Sequence, residues 1–282
     1  MPAIRQTQPP PVPPLPRLPW YARLNVVNVT FILFILAVGV AGWRMRGEAD
    51  EIDYLASLWG FLQRFFPPDL SAPVRNQVFS AMVETIEIAL LATFNSIVIS
   101  FVLSIGAAQN IAPKWIVVTV RMMLNGVRTI PSLIWALLAV VVAGPGPLAG
   151  VIALTFYSIG YLGKFYSEAF ESVDIEVARG LRAIGADPIQ AFQYGLWPHA
   201  KPLVWSYSLW MLEYNIRSAA IIGYVGAGGI GLQLHAYQEF GMWSRFCTVL
   251  LCILVVVTLL DFLGETIRRR INRRIARRTL SD

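Results

Sequence analysis

The chain has 282 residues, 56% of them hydrophobic and only 14% charged, with a mean hydropathy of +0.58. A soluble domain carries about 25% charged residues, so either the core is unusually large or most of the chain sits in lipid. Segment lengths decide, because a bilayer core of roughly 30 Å takes about 20 apolar residues per helix. The net charge of +6 does not point to nucleic acid, since the basic residues flank apolar segments and act on topology.

Residues 1–23 hold eight prolines, three arginines and no acid, and read as a disordered or polyproline tail that builds no core. Six spans follow. The first runs from Leu24 to Trp43. An external loop from Arg44 to Ser80 carries Glu48, Asp50, Glu51 and Asp53, then an aromatic stretch from Trp59 to Phe66 suited to the outer interface. The second span covers Ala81–Ala108 and opens with Glu84 and Glu87. A helix over Trp115–Val127 precedes the third, Ile130–Ala149. The fourth covers Val151–Tyr166, the fifth Leu203–Tyr224 and the sixth Phe246–Gly264. The predicted organisation is a tail (1–23), a first span with its external loop (24–80), a core (81–267) and a basic C-terminal tail (268–282).

Lys and Arg placement orients the chain. With both termini in the cytoplasm, most of the 23 basic residues fall inside: Arg5, Arg17 and Arg23; Lys114, Arg121 and Arg128; Lys164, Arg179, Arg182 and Lys201; and the arginines from Arg268 to Arg278. Arg44 and Arg46 run against this pattern.

Between spans four and five lies a polar segment, Glu176–Pro202. Val177, Leu181 and Ile184 repeat at helical spacing. Gly185 ends that helix, because only glycine turns there without steric cost. Asp187 caps a second helix, Pro188 suits its first position and Pro198 is expected to end it. Such a helix–turn–helix outside the membrane suits docking into a groove on a soluble partner, or lying on the lipid surface.

This loop resembles the coupling motif of ABC importer permeases, in which an acidic-alanine stretch is followed by a glycine and, thirteen residues on, a proline. Gly185 and Pro198 have that separation, and Ala186, Asp187 and Gln190 fit the surroundings. Arg179 stands where the family usually has a glutamate, and Glu176 is the nearest acid. Gly180–Ala186 resembles the form seen in the phosphonate and phosphate subfamily. Arg128-Thr129-Ile130-Pro131 is similar to that subfamily's entry to the third span. Glu213, Asn215, Arg217 and the turn from Gly223 to Gly231 are similar to its fifth span and glycine-rich turn. The resemblance implies an all-α integral membrane protein of the type I importer permease fold. It implies an ATPase-coupling loop over 174–198 carrying Glu176, Ala178, Arg179, Gly180, Gly185, Ala186, Asp187 and Pro198. It implies a pathway or gate formed from Arg128, Pro131, Glu213, Arg217, Gly226, Gly228, Gly229 and Gly231. The partners implied are cytoplasmic ABC ATPase subunits, an external substrate-binding protein and a second copy of the chain.

Other motifs carry less. Gly226, Gly228 and Gly231 satisfy G-x-G-x-x-G, but a dinucleotide site needs a preceding strand, and here a membrane helix precedes it. Close packing, a mobile outer turn or a plain loop fit better. Glu213 and Arg217 lie on one face of span five, where they either form a structural ion pair or put Arg217 near an anionic substrate. Glu84 and Glu87 read as interfacial residues or part of an external gate. Asp261 and Glu265 are expected to pair with the basic tail, which suits anionic lipid. Cys247 and Cys252 sit on different helix faces and form no metal pattern. His199 and His235 read as isolated loop residues. No metal site, cofactor or catalytic constellation is expected, and no phosphate loop for ATP occurs.

The expected function is the permease subunit of an ATP-driven importer for phosphonate or phosphate, multi-pass in a bacterial inner membrane. The alternatives are a permease for methionine or a quaternary amine, or a membrane-embedded enzyme.

Overall fold

A computed structural model of the chain describes residues 26–44 and 54–279. The Pro-rich stretch and the acidic run from Glu48 to Asp53 lie outside them. Among the described residues all regular structure is helical. The chain divides into two units, Met1–Gly60 and Phe61–Asp282.

The first unit holds α1 (Val26–Arg44), an apolar helix with Phe31, Leu33 and Phe34 exposed. α2 (Tyr54–Phe65) runs across the division and carries the aromatic stretch.

In the second unit, α3 (Ala72–Ala107) starts nine residues before the predicted span. Pro73 sits in its first turn, where a missing N–H costs nothing. Glu84 and Glu87 therefore lie three turns inside the helix rather than at its mouth. At about 1.5 Å per residue, 36 residues exceed the bilayer core. Its buried face is a stripe of small and hydroxylated residues, including Ala81, Thr85, Ala89, Ala92, Ser96, Ser100 and Ser104. Lipid tails are as apolar as leucine, so such a stripe holds a bundle by close van der Waals packing. The hydroxyls are satisfied by bonds such as Thr85 Oγ1 to the Ala81 carbonyl (2.8 Å) and Ser100 Oγ to the Ile159 carbonyl (3.3 Å).

The predicted third span and the helix before it are separated by a sharp bend. α4 (Lys114–Thr129) and α5 (Ser132–Ala143) meet at 88°. Proline disfavours helical backbone in the residue before it, and Ile130 is accordingly extended at φ −92°, ψ 119°. α5 has only 12 residues, about 18 Å, too short to cross alone. The chain turns back at Gly144–Gly146, and α6 (Pro147–Glu171) follows.

After α6 come α7 (Ile175–Ala183), α8 (Pro188–Gln190), a π-helical turn (Ala191–Leu196) and α9 (Trp197–Ile222). A 3-10 turn (Gly223–Val225) leads to α10 (Ile230–Glu239), and α11 (Trp243–Thr279) closes the chain. α10 occupies sequence read as a loop. His235 lies on it and His199 lies in the first turn of α9.

Among the described residues, three helices, α3, α6 and α11, are long and apolar enough to cross a membrane unbroken, and two bent pairs supply up to two further crossings. The core lies between α3, α6 and α9. Ile88, Leu154, Ile222 and Ile230 fill one end, and Leu162, Tyr166, Phe170 and Met211 the other.

Candidate functional site

The hairpin between α6 and α9 is built by local rules. Asp174 caps α7 through its side chain, which accepts the Glu176 N–H at 3.0 Å. α7 ends on Gly185 at φ +98°. There the Ala186 N–H reaches the Leu181 carbonyl and the Gly185 N–H reaches the Arg182 carbonyl, both at 3.0 Å, which satisfies the last carbonyls of the helix. Asp187 and Gln190 then cap α8 reciprocally: Asp187 accepts the Gln190 N–H at 2.7 Å and Gln190 accepts the Asp187 N–H at 3.1 Å. This is the capping-box pattern with Asp in place of Ser or Thr.

Pro198 does not end the second arm. The helix runs on from Pro188 through the π turn into α9, with Pro198 in the first turn of α9. Proline removes a donor and crowds the carbonyl four residues back. The wider π turn absorbs this, with the Trp197 N–H bonding to the Phe192 carbonyl.

Glu176 pairs with Arg179 at 2.6 Å, one helical turn apart and exposed on both sides. Ala178 is buried against Gly195, where an added Cβ would come 3.3 Å from the Ala178 Cα. Gly180 faces open space. The tip is apolar: Ile184 is 82% exposed, Ile189 74% and Tyr194 67%. The base is rigid. Phe192 stacks edge-on to Phe170 at 5.4 Å, and Phe101 does so to Trp197. Glu171, which sequence reasoning passed over, pairs with Arg121 at 2.5 Å and accepts the Gln109 N–H at 2.6 Å. No sequence pattern marks it, because its partners, Arg121 in the middle of α4 and Gln109 just past α3, are 50 and 62 residues away in sequence.

The glycine-rich turn is a packed joint. Gly226, Gly228 and Gly229 all have positive φ, which glycine adopts at no steric cost. The Gly226 carbonyl accepts the Gly146 N–H at 2.8 Å. The start of α10 is capped from α3: Glu84 Oε1 accepts the Gly229 N–H at 2.9 Å and Thr85 Oγ1 accepts the Ile230 N–H at 2.7 Å. A Cβ on Gly231 would collide with the Ala220 carbonyl. Glu87 is exposed.

Glu213 and Arg217 share a face but not a bond. Glu213 is 8% exposed and both its oxygens lie 2.8 Å from Arg268 Nη2. Arg217 reaches Asp261 at 3.2 Å. Both partners come from α11: Asp261 serves Arg217, whereas Glu265 pairs with Arg269 of the basic tail at 2.6 Å.

Deeper in the bundle, Asn215 of α9 donates to Thr93 of α3 at 2.9 Å and accepts from Ser158 of α6 at 3.0 Å. Beside it the Tyr214 hydroxyl donates to that of Tyr157 at 2.7 Å. Arg128, in the last turn of α4, lies over the Tyr161 ring at 4.8 Å. Pro131 opens α5 beyond it, its carbonyl accepting the Ile134 N–H at 3.0 Å. Among the described residues no three His, Cys, Asp or Glu converge as a metal site.

Residues 100–277 match the family described as binding-protein-dependent transport system inner membrane component. The chain belongs to this family. It is 35% identical over 204 residues to the phosphite transport system permease protein PtxC of Stutzerimonas stutzeri, covering 72% of this chain and 74% of that one. It is 32% identical over 219 residues to the phosphate-import permease protein PhnE of Mycolicibacterium smegmatis, covering 77% of this chain and 41% of that longer one. Its fold is similar to that of the methionine ABC transporter MetNI in inward-facing conformations, with a TM-score of 0.64 at 24% identity over 72% of this chain and 99% of that one.

The permease is thus a multi-pass inner membrane component whose family works with a binding protein. The matched segment begins in α3 and ends in α11, so it contains the hairpin, the glycine joint, the Arg128 elbow and both cross-helix ion pairs.

Proposed function

We propose that the permease carries a small phosphorus oxyanion, phosphonate, phosphate or phosphite, inward across the membrane, driven by ATP hydrolysis on separate cytoplasmic subunits. The hairpin over residues 174–198 is the handle those subunits grip. The supporting observation is its form: two capped arms locked at Gly185, an apolar tip of Ile184, Ile189 and Tyr194 facing outward, and a base braced by Phe170, Phe192 and Glu171. An exposed apolar tip on a rigid base is what a soluble groove needs to grip and pull.

Two copies of the chain enclose the path, and an external binding protein delivers the oxyanion. When the ATPases close, the hairpins move and the bundles rock about the elbow at Pro131 and the glycine joint at Gly226–Gly231. Both termini lie in the cytoplasm, with the basic tail 268–282 against anionic lipid. The oxyanion substrate rests on the relatives named for phosphite and phosphate.

The test is uptake of labelled phosphate, phosphite and a phosphonate into proteoliposomes holding the permease with its ATPase and binding protein. ATP-dependent uptake of at least one is expected. Uptake of methionine or a quaternary amine instead would overturn the substrate assignment.

A further inference from the structure

The arginines of the helical bundle are not alike. Arg121, Arg217, Arg245 and Arg268 each lie against a carboxylate: Glu171, Asp261, Asp69 and Glu213. Arg128 does not. Among the described residues no carboxylate stands within ion-pair distance of it, and its buried Nε makes no hydrogen bond. Arg128 is partly buried; an Nε cut off from water needs an acceptor, and the face of Tyr161 only partly offsets the loss.

The surroundings are built to hold it there. A Cβ on Gly160 would fall 2.7 Å from Arg128 Cγ and 3.2 Å from the Leu124 carbonyl. Glycine at 160 is therefore what lets the arm of Arg128 lie across α6. That arm leads to Tyr161, whose ring meets that of Tyr157 at 4.8 Å, and Tyr157 stacks on Tyr214 at 5.2 Å. The Tyr214 hydroxyl donates to that of Tyr157, so the phenolic groups of α6 and α9 meet at one point.

The depth is right for a transport site. Tyr157 lies about 15 Å along an α6 that measures about 37 Å, near mid-membrane, where transporter sites concentrate. Immediately behind it the Thr93–Asn215–Ser158 bonds lock α3, α6 and α9 at one level, so the donors keep their positions without substrate.

We infer that Arg128, with Tyr157, Tyr161 and Tyr214, forms a contact site for the transported oxyanion. The guanidinium grips two oxygens of the anion side by side and phenolic hydroxyls donate to the remainder. The missing counter-charge of Arg128 is the substrate itself. The inference rests on the oxyanion reading above and assigns that reading a place in the bundle.

The test uses the complete transporter in proteoliposomes, with phosphate and phosphite as probes. It reads two quantities: ATP hydrolysis stimulated by the loaded binding protein, and oxyanion imported per ATP. For Arg128→Gln, import per ATP is expected to fall about tenfold or more, the scale of one lost charge-assisted contact. Tyr214→Phe is expected to change the ratio of phosphite to phosphate import, because the two anions offer different numbers of oxygens. Unchanged import per ATP in Arg128→Gln would overturn the inference and leave Arg128 as a packing cation. Should that variant fail to assemble, Arg128→Lys, which keeps the charge but loses the planar fork, decides: a fall in import per ATP supports the site, and wild-type coupling overturns it. A wild-type transporter that carries no oxyanion at all defeats the functional reading, and the inference with it, before any variant is compared.

Discussion

Glu213 and Arg268 are joined across two helices, both carboxylate oxygens of Glu213 lying 2.8 Å from one guanidinium nitrogen. Gly264, one turn before Arg268 on α11, makes room for that carboxylate: an added Cβ would overlap its Oε1. Gly264→Ala must therefore displace Glu213 or open the α9–α11 contact. A lower detergent melting temperature and less intact protein are expected, whereas Gly126→Ala, which meets nothing within 4 Å, is expected to behave as wild type. Glu213→Ala leaves the partly exposed Arg268 without its acid and is expected to lower the melting temperature as well.

The hairpin offers a matched pair of glycines. Gly185 has open space around it but a φ of +98°, a region a β-branched residue adopts only under strain. Gly180 has open space and sits inside α7. Gly185→Val is expected to abolish binding-protein-stimulated ATP hydrolysis while membrane insertion is retained. Gly180→Ala is expected to keep coupling and to firm α7 by about 0.5–1 kcal/mol. Stimulated hydrolysis measured on both variants separates strain at the turn from mere added bulk.

Features set by neighbouring residues were legible in the sequence. Gly185 at the end of α7 and Asp187 as the cap of α8 follow from local steric and hydrogen-bonding rules and appear as read; the structure adds the reciprocal bond accepted by Gln190. The family resemblance rested on such stretches, and the comparison bears it out. Features set by packing were not legible. Pro198 obeys the proline rule, but a π turn accommodates it without ending the helix. The apolar run from Ile130 to Ala149 begins at a right-angled elbow and hides a return at Gly144–Gly146, because hydropathy carries no direction. Glu213 and Arg217 stand four apart, yet each finds its partner on α11. The isolation of Arg128 is a property of what does not surround it, and no spacing rule shows that.

The glycine joint depends on a cap supplied from another helix. Glu84→Ala removes the acceptor of the Gly229 N–H and is expected to cost about 0.5–2 kcal/mol, as loss of a helix cap does. Glu84→Gln keeps an oxygen in place and is expected to cost less. Hydrogen exchange over residues 226–239 should quicken in that order, most in the alanine variant.

Outside the spans, Asp69 ties the α2–α3 loop to α11 by accepting from Arg245 at 3.2 Å, and within the loop it accepts the Ser71 N–H at 3.0 Å. Hydrogen bonding from Ser71, with Arg245 adding to it, holds its carboxyl below the usual value of 3.8. A depressed carboxylate stabilises the fold above its unfolded-state pKa, and that contribution is lost as pH falls through the folded-state value. The Asp69 tie is therefore expected to hold unchanged from pH 8 to pH 5 and to weaken only below about pH 4. The melting temperature of wild type minus that of Asp69→Asn, followed across this range, should be flat and then shrink. A difference that shrinks already at pH 6 would contradict the assignment.

The central claim is that residues 174–198 face the cytoplasm and are gripped there by the ATPase. Ile184, 82% exposed at the tip, reports on both parts when replaced by cysteine in a chain whose Cys247 and Cys252 are serine. A membrane-impermeant maleimide is expected to label Ile184→Cys in inside-out vesicles and not in right-side-out ones, and assembly with the ATPase subunits is expected to protect it. Labelling from the outer face, or full labelling in inside-out vesicles with the ATPase bound, would contradict the account.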